Sequence, residues 1–180
     1  MEMEDKKSIF ENLYKKEVDR IFRFVLMRVS SRDDALDITE EVFYKVWQSM
    51  QDGKHIENHL AFLFAIARNK IIDWYRKKKS LSLEGLLENK EDTDGEALQL
   101  VDPDAHTNIA TGVEASWVIK TLRKLEEKDA EIIDLRFIQG LQPQEISEIL
   151  GTSANSISIR ITRAIEKLRK ELGINLKDNE

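Results

Sequence analysis

Three groups of side chains in this 180-residue chain have the types and spacing for binding chemistry. In the last third, Ser153, Asn155, Ser156, Ser158, Arg160, Arg163 and Lys167 place short hydroxyl and amide groups beside guanidinium and ammonium groups. Such groups hydrogen-bond to base edges and phosphates in a DNA major groove. Earlier, Arg68 and Asn69 lead to Trp74-Tyr75-Arg76-Lys77-Lys78-Lys79, which combines aromatic faces for stacking unpaired bases with cations that follow a phosphate backbone. Asp33, Asp37, Glu40 and Glu41 form an acidic helix face suited to a basic partner, with Phe43 or Trp47 as aromatic anchors. Each group also has a plainer reading: a solvated basic face, cations offsetting a helix dipole, and a solvated acidic face.

The elements that would position the first group are legible. Pro143 suits the first turn of a helix, where its missing N–H has no intrahelical partner, and Gln142 then sits at the cap. Ile146, Ile149 and Leu150 share a face, and Gly151 supplies a left-handed residue for the reversal. Ser153 caps a second helix on which Ile157, Ile161, Ala164, Ile165 and Leu168 recur at inward spacing. Two helices joined by a glycine turn, the second turning basic, make a helix-turn-helix.

The first 79 residues parse into three helices. The first runs from about Ser8, with Phe10, Leu13, Tyr14, Val18, Ile21, Phe22, Val25 and Val29 on its apolar stripe. Ser31 caps the second, with Ala35, Ile38, Val42, Phe43, Val46 and Trp47 inward. Asn58 caps the third, which carries Leu60, Leu63, Phe64, Ala67, Ile71 and Trp74 at core spacing and ends in the basic run. The spacing of Trp74 favours packing over stacking, whereas Tyr75 points to another face.

The net charge of −6 hides a strong asymmetry. Residues 1–79 sum to +2, residues 80–112 to −7 and residues 113–180 to −1, so most of the excess acid lies in one segment punctuated by Gly85, Gly95, Pro103 and Gly112. That segment reads as a linker. The expected architecture is all-α: two small helical domains, 5–79 and 113–174, joined by an acidic linker at 80–112, the second domain containing the helix-turn-helix. The linker would let the domains move, or fold back over a basic surface.

Enzyme chemistry finds little support. The absence of Cys excludes disulfides, thiolate metal sites and cysteine nucleophiles. No Gly-rich phosphate loop, nucleophile elbow or His-Glu-x-x-His motif occurs. Glu40 and Glu41 are adjacent and point apart on a helix. His55 and His59 are four apart, yet a cap at Asn58 leaves His55 in the preceding loop and breaks a metal-binding geometry. No catalytic residue, metal or cofactor is expected. The start of the chain lacks a signal-peptide apolar run and no stretch reaches membrane-spanning length, so a cytoplasmic protein without membrane insertion is expected.

With Ala35-Leu36-Asp37-Ile38-Thr39-Glu40-Glu41-Val42-Phe43, then Ala65-Ile66-Ala67-Arg68-Asn69-Lys70-Ile71-Ile72-Asp73-Trp74-Tyr75-Arg76, then Glu145-Ile146-Ser147-Glu148-Ile149-Leu150-Gly151, the chain resembles a bacterial extracytoplasmic-function sigma factor. The resemblance spans about Leu13 to Leu172. It implies a protein that binds core RNA polymerase and gives it promoter specificity. The acidic face (Asp33, Asp37, Glu40, Glu41, Phe43, Trp47) would dock on the polymerase. Arg68, Asn69, Tyr75, Arg76, Lys77, Lys78 and Lys79 would capture the single-stranded minus-ten element, and the loop between Gln48 and Glu57 would pocket a flipped base. The helix-turn-helix residues Ser153 to Lys167 would read the minus-thirty-five element. An anti-sigma partner also follows from the resemblance. The sequence departs from the family pattern at Glu40, at Glu126 where a proline is usual, at Ser147 and across Asn155-Ser156-Ile157-Ser158. Two rivals stand beside it: a self-sufficient regulator that binds duplex DNA alone, and a protein-interaction module in which Arg160 and Arg163 are dispensable.

Overall fold

The computed structural model describes residues 3–29, 31–83, 122 and 124–172. The chain divides into two compact units, Met1–Leu98 and Gln99–Glu180. Six α-helices and one π-helical turn make up the regular structure among the described residues, and no strand occurs among them.

In the first unit, α1 (Met3–Leu26), α2 (Arg32–Gln51) and α3 (His59–Leu83) pack pairwise on one another. Their apolar stripes close a core in which Ile21, Phe24, Val25, Val42, Val46, Leu63, Phe64, Ala67 and Ile71 are fully buried. Phe24 and Phe64 meet edge to face, with ring centroids 5.0 Å apart, the arrangement the ring quadrupoles favour. Ser31 caps α2 by accepting the Asp34 N–H at 3.0 Å. Asn58 caps α3 through Oδ1, which accepts from the Leu60 and Ala61 N–H groups at 3.1 and 3.0 Å. A side-chain cap of this kind is worth about 1 kcal/mol. Both caps fall where the sequence puts them, and α1 starts five residues earlier than expected from the stripe.

The third helix runs on past the expected boundary at 79 to Leu83, since the sequence offers neither proline nor glycine before Gly85. Arg76 to Lys79 therefore stand before the last turn, which holds no basic residue. The dipole effect fades within a turn of the helix end, so it accounts poorly for this cation run. Residues 84–112, the remainder of the expected linker, lie outside the described residues, as does its suggested fold-back.

A buried arginine ties this unit together. Arg28 is fully buried just after α1; its guanidinium sits 3.8 Å from the Phe24 ring centroid and donates to the Phe24 carbonyl at 2.9 Å. A buried cation needs such partners. The backbone carbonyl of Arg28 accepts a hydrogen bond from the Tyr75 hydroxyl, which pins α3 to the end of α1.

The second unit is built from α4 (Glu127–Ile133), a π-helical turn (Asp134–Ile138), α5 (Pro143–Leu150) and α6 (Ala154–Glu171). Leu122, Leu125, Ala130, Ile133 and Ala164 form one core cluster, against which Ile165 and Leu168 pack. Ile146 and Ile157 are fully buried. The Glu145 carboxylate accepts the Gln142 N–H at 2.7 Å at the start of α5, and Gly151 adopts φ +64° at its end, as the turn requires. Ser153 caps α6 by accepting the Ser156 N–H at 3.2 Å. The π turn was not legible in the sequence. It is closed by the Gln139 N–H to the Asp134 carbonyl at 2.9 Å and by the Gln139 amide to the buried Asp134 carboxylate at 3.0 Å. Arg136 leaves this turn to donate to the Leu141 carbonyl at 2.9 Å and the Gln142 side chain at 3.2 Å, bracing the entry to α5.

Candidate nucleic-acid and partner interfaces

The face of α6 opposite its buried residues Ile157, Ile161 and Ala164 is the first candidate surface. Asn155, Ser158 and Arg163 are exposed there, with Ser156 and Arg160 partly so. Several hydroxyls are already engaged. Ser153 caps the helix and lies 2.8 Å from the Ser156 hydroxyl; Ser158 donates to the Ala154 carbonyl at 3.0 Å and Thr162 to the Ser158 carbonyl at 3.2 Å. Among the described residues, the recognition groups left unengaged are thus the Asn155 amide and the guanidiniums of Arg160 and Arg163. Thr162 and the exposed Ile159 share this face and were missed by sequence reasoning, although Ile159, two residues from both Ile157 and Ile161, cannot join their stripe.

Lys167, expected at the DNA surface, also makes an ion pair within its own unit. Its ammonium lies 2.6 Å from Asp129 Oδ2 and 3.3 Å from Glu126 Oε1, and these carboxylates raise its pKa above the ordinary 10.5, Asp129 most strongly. Glu126 occupies the position where the resembling family has proline, and it joins Asp129 in the pair. The lysine fastens α6 to α4 while its side chain stays exposed.

The basic stretch of α3 is the second surface. Asn69, Arg76, Lys77, Lys78 and Lys79 are exposed and Arg68 is partly so. Arg76 is 4.0 Å from Asp73, a loose and exposed pair of little energetic weight. Tyr75, expected to stack on a base, has its hydroxyl on the Arg28 carbonyl and is half-buried, so it holds the helix in place. Trp74, expected in the core, is only half-buried: the buried stripe ends at Ile71. Its ring meets Tyr75 edge to face at 5.0 Å and lies 4.7 Å from the Lys78 ammonium. An aromatic face and cations therefore do meet here, with Trp74 supplying the ring. The preceding loop is shorter than expected, because α2 extends to Gln51; His55 is exposed in it, ahead of the Asn58 cap.

The third surface is the outer side of α2. Asp33, Asp37, Glu40 and Tyr44 follow i, i+4, i+7, i+11 spacing, all exposed, and Glu41 pairs with Lys70 of α3 at 2.6 Å. Phe43 is not an available anchor. It is 2% exposed, with the Tyr14 and Phe10 rings of α1 at 4.8 and 6.4 Å, and Trp47 stands half-buried 5.1 Å from Phe10. The apolar groups offered outward are Tyr44, 63% exposed, and Leu36, 42% exposed. Among the described residues no group of three or more His, Cys, Asp or Glu is placed to hold a metal ion, and no helix is long and apolar enough to cross a membrane.

Two family models match in series: sigma-70 region 2 over residues 13–81, covering the three-helix unit, and sigma-70 region 4 over residues 115–168, covering the helix-turn-helix. The chain is similar along most of its length to RNA polymerase sigma factor SigV of Bacillus subtilis, 29% identical over 84% of this chain and 83% of that one. It is also similar to ECF RNA polymerase sigma factor SigX of the same organism, 26% identical over 95% and 89%. The chain belongs to the extracytoplasmic-function sigma factors of the sigma-70 family. The fold of this sigma factor is shared with RpoE of Bartonella quintana, solved with the anti-sigma factor NepR, at a TM-score of 0.63 and 21% identity over 92% of this chain and 98% of that one. As a sigma factor it binds core RNA polymerase and directs promoter-specific initiation of transcription.

Proposed function

We propose that the labour of this sigma factor is divided among the three surfaces. The outer side of α2 docks on core polymerase through Asp33, Asp37, Glu40 and Glu41, with Tyr44 and Leu36 as apolar contacts. The basic stretch of α3, with Trp74 for stacking, captures the melted minus-ten strand. The outer face of α6 reads the minus-thirty-five element as duplex. The single observation that carries this reading is the pairing, within one unit, of an exposed acidic row on α2 with a cluster of exposed cations beside a half-buried tryptophan ring on α3. Opposite charges on two faces suit two different partners, a basic protein surface and a polyanion.

The protein acts as a binding subunit, with the chemistry of RNA synthesis left to the polymerase, in the cytoplasm where that polymerase works. The likeness in fold to a sigma factor solved with its anti-sigma factor supports a protein inhibitor of the same class here. Size-exclusion chromatography of the purified chain mixed with bacterial core polymerase tests the docking. Co-elution is expected, weakened about tenfold or more by Glu40→Lys and Asp37→Lys and several-fold by Tyr44→Ala, with no loss of thermal stability. Separate elution at micromolar concentration, from core competent for another sigma factor, would refute it.

A further inference from the structure

We propose that Ile159 is a base-reading residue that contacts the 5-methyl group of a thymine in the major groove of the minus-thirty-five element. The inference rests on the reading of α6 as the duplex-contacting helix and names the chemistry at its centre. A single exposed isoleucine is ordinary on a protein surface; this one is set apart by its position. It is 45% exposed, directly opposite the buried stripe of Ile157, Ile161 and Ala164. It falls within the first two turns of the second helix of a helix-turn-helix, the part that reaches base edges.

Its neighbours sharpen the assignment. Asn155, Ile159 and Arg163 succeed one another at i, i+4, i+8, so the isoleucine stands between an amide and a guanidinium. The hydroxyls on either side, Ser158 and Thr162, donate to carbonyls of their own helix, which leaves their protons committed. The centre of the face therefore presents an apolar side chain flanked by hydroxyls that can still accept but have no free proton to donate. Isoleucine has no donor or acceptor with which to read a guanine, an adenine or a cytosine edge. The one apolar group that the four bases present in the major groove is the thymine methyl. A β-branched side chain is also a weaker helix former than alanine, so the helix gains nothing from it locally.

The test uses the full chain assembled with core polymerase on a promoter mapped by its transcription start site. Each thymine of the minus-thirty-five element, on either strand, is replaced in turn by deoxyuridine, which removes only the methyl group. Binding is expected to weaken about fourfold at one position, the effect of exposing roughly one buried methyl group. Ile159→Ala is expected to bind the thymine and uracil duplexes equally, with helix content unchanged. The contact is overturned if no uracil duplex is weakened, if Ile159→Ala keeps the full penalty, or if the element contains no thymine. In each case, if Arg160→Ala with Arg163→Ala still abolishes dependence on the element, the DNA reading of α6 stands and only the methyl contact falls. If scrambling the element changes nothing for the unaltered protein, the DNA reading of α6 falls with it.

Discussion

The two surfaces assigned to nucleic acid are built on different plans. On α3, an uninterrupted run from Arg76 to Lys79 presents long, exposed cations beside one tryptophan ring, against which the Lys78 ammonium lies. On α6, short side chains locked to their own backbone surround Asn155, Ile159 and two arginines, and the nearest lysine, Lys167, is held by Asp129 and Glu126. The first plan suits a flexible single strand, where stacking and charge act on any sequence. The second suits a rigid duplex, where donors and methyl contacts must meet particular base edges. Salt and sequence should therefore trade places as the controlling variable between the two.

The largest effect that would sharpen this contrast is expected from Arg160→Ala combined with Arg163→Ala. Transcription dependent on the minus-thirty-five element should fall by at least about tenfold, from roughly 1–3 kcal/mol per base-reading arginine. Run-off assays on promoters with intact and scrambled elements measure it; equal activity on both before substitution would break the contrast from this side. Replacing Lys77, Lys78 and Lys79 together by Gln should act next most strongly. The salt slope for binding single-stranded minus-ten DNA should drop by about 2, at roughly 0.7 per phosphate contact. Ranking of minus-thirty-five sequences should stay as it was, and a changed ranking would show that the two surfaces are not separable.

Smaller effects separate holding residues from contacting ones. Tyr75→Phe keeps the ring and removes only the hydrogen bond to the Arg28 carbonyl, so a loss of about 0.5–1.5 kcal/mol in stability is expected. Thermal denaturation of the two forms measures it, and strand affinity should change little if Trp74 is the stacking ring. Lys167→Ala is expected to act least, lowering the melting temperature slightly and leaving the salt slope for duplex binding untouched. The sign of its pH dependence follows from its raised pKa: the contribution is fully present at neutral pH, below the unfolded lysine value, and disappears only as pH climbs through the folded value above 10.5. A fall in the salt slope on substitution would return Lys167 to the DNA-contacting set.

What the sequence could reveal divides along the same physical line. Helix limits set by local chemistry were readable: the caps at Ser31, Asn58 and Ser153 act within three residues, and the reversal at Gly151 depends on that residue's own φ. The sequence missed what depends on distant parts of the chain. Phe43 reads both as part of the buried stripe and as a surface anchor, and the Phe10 and Tyr14 rings that α1 lays against it decide for the core. Tyr75 is committed by a carbonyl 47 residues earlier, and Lys167 by carboxylates 38 and 41 residues away. Trp74 has core spacing, but periodicity does not tell where the partner helices stop covering a stripe. Exposure on a helix of known buried face was within reach, and Ile159 and Tyr44 could both have been found by asking which apolar residues the stripe leaves out.

The most direct test of the account is transcription from a mapped promoter by core polymerase with and without the chain, alongside binding of the chain alone to the same DNA. A start-site-specific transcript that requires both proteins is expected, with weak binding of the free chain. Tight binding by the chain alone, with no specific transcript added to that of core, would contradict it and leave a free-standing regulator in its place.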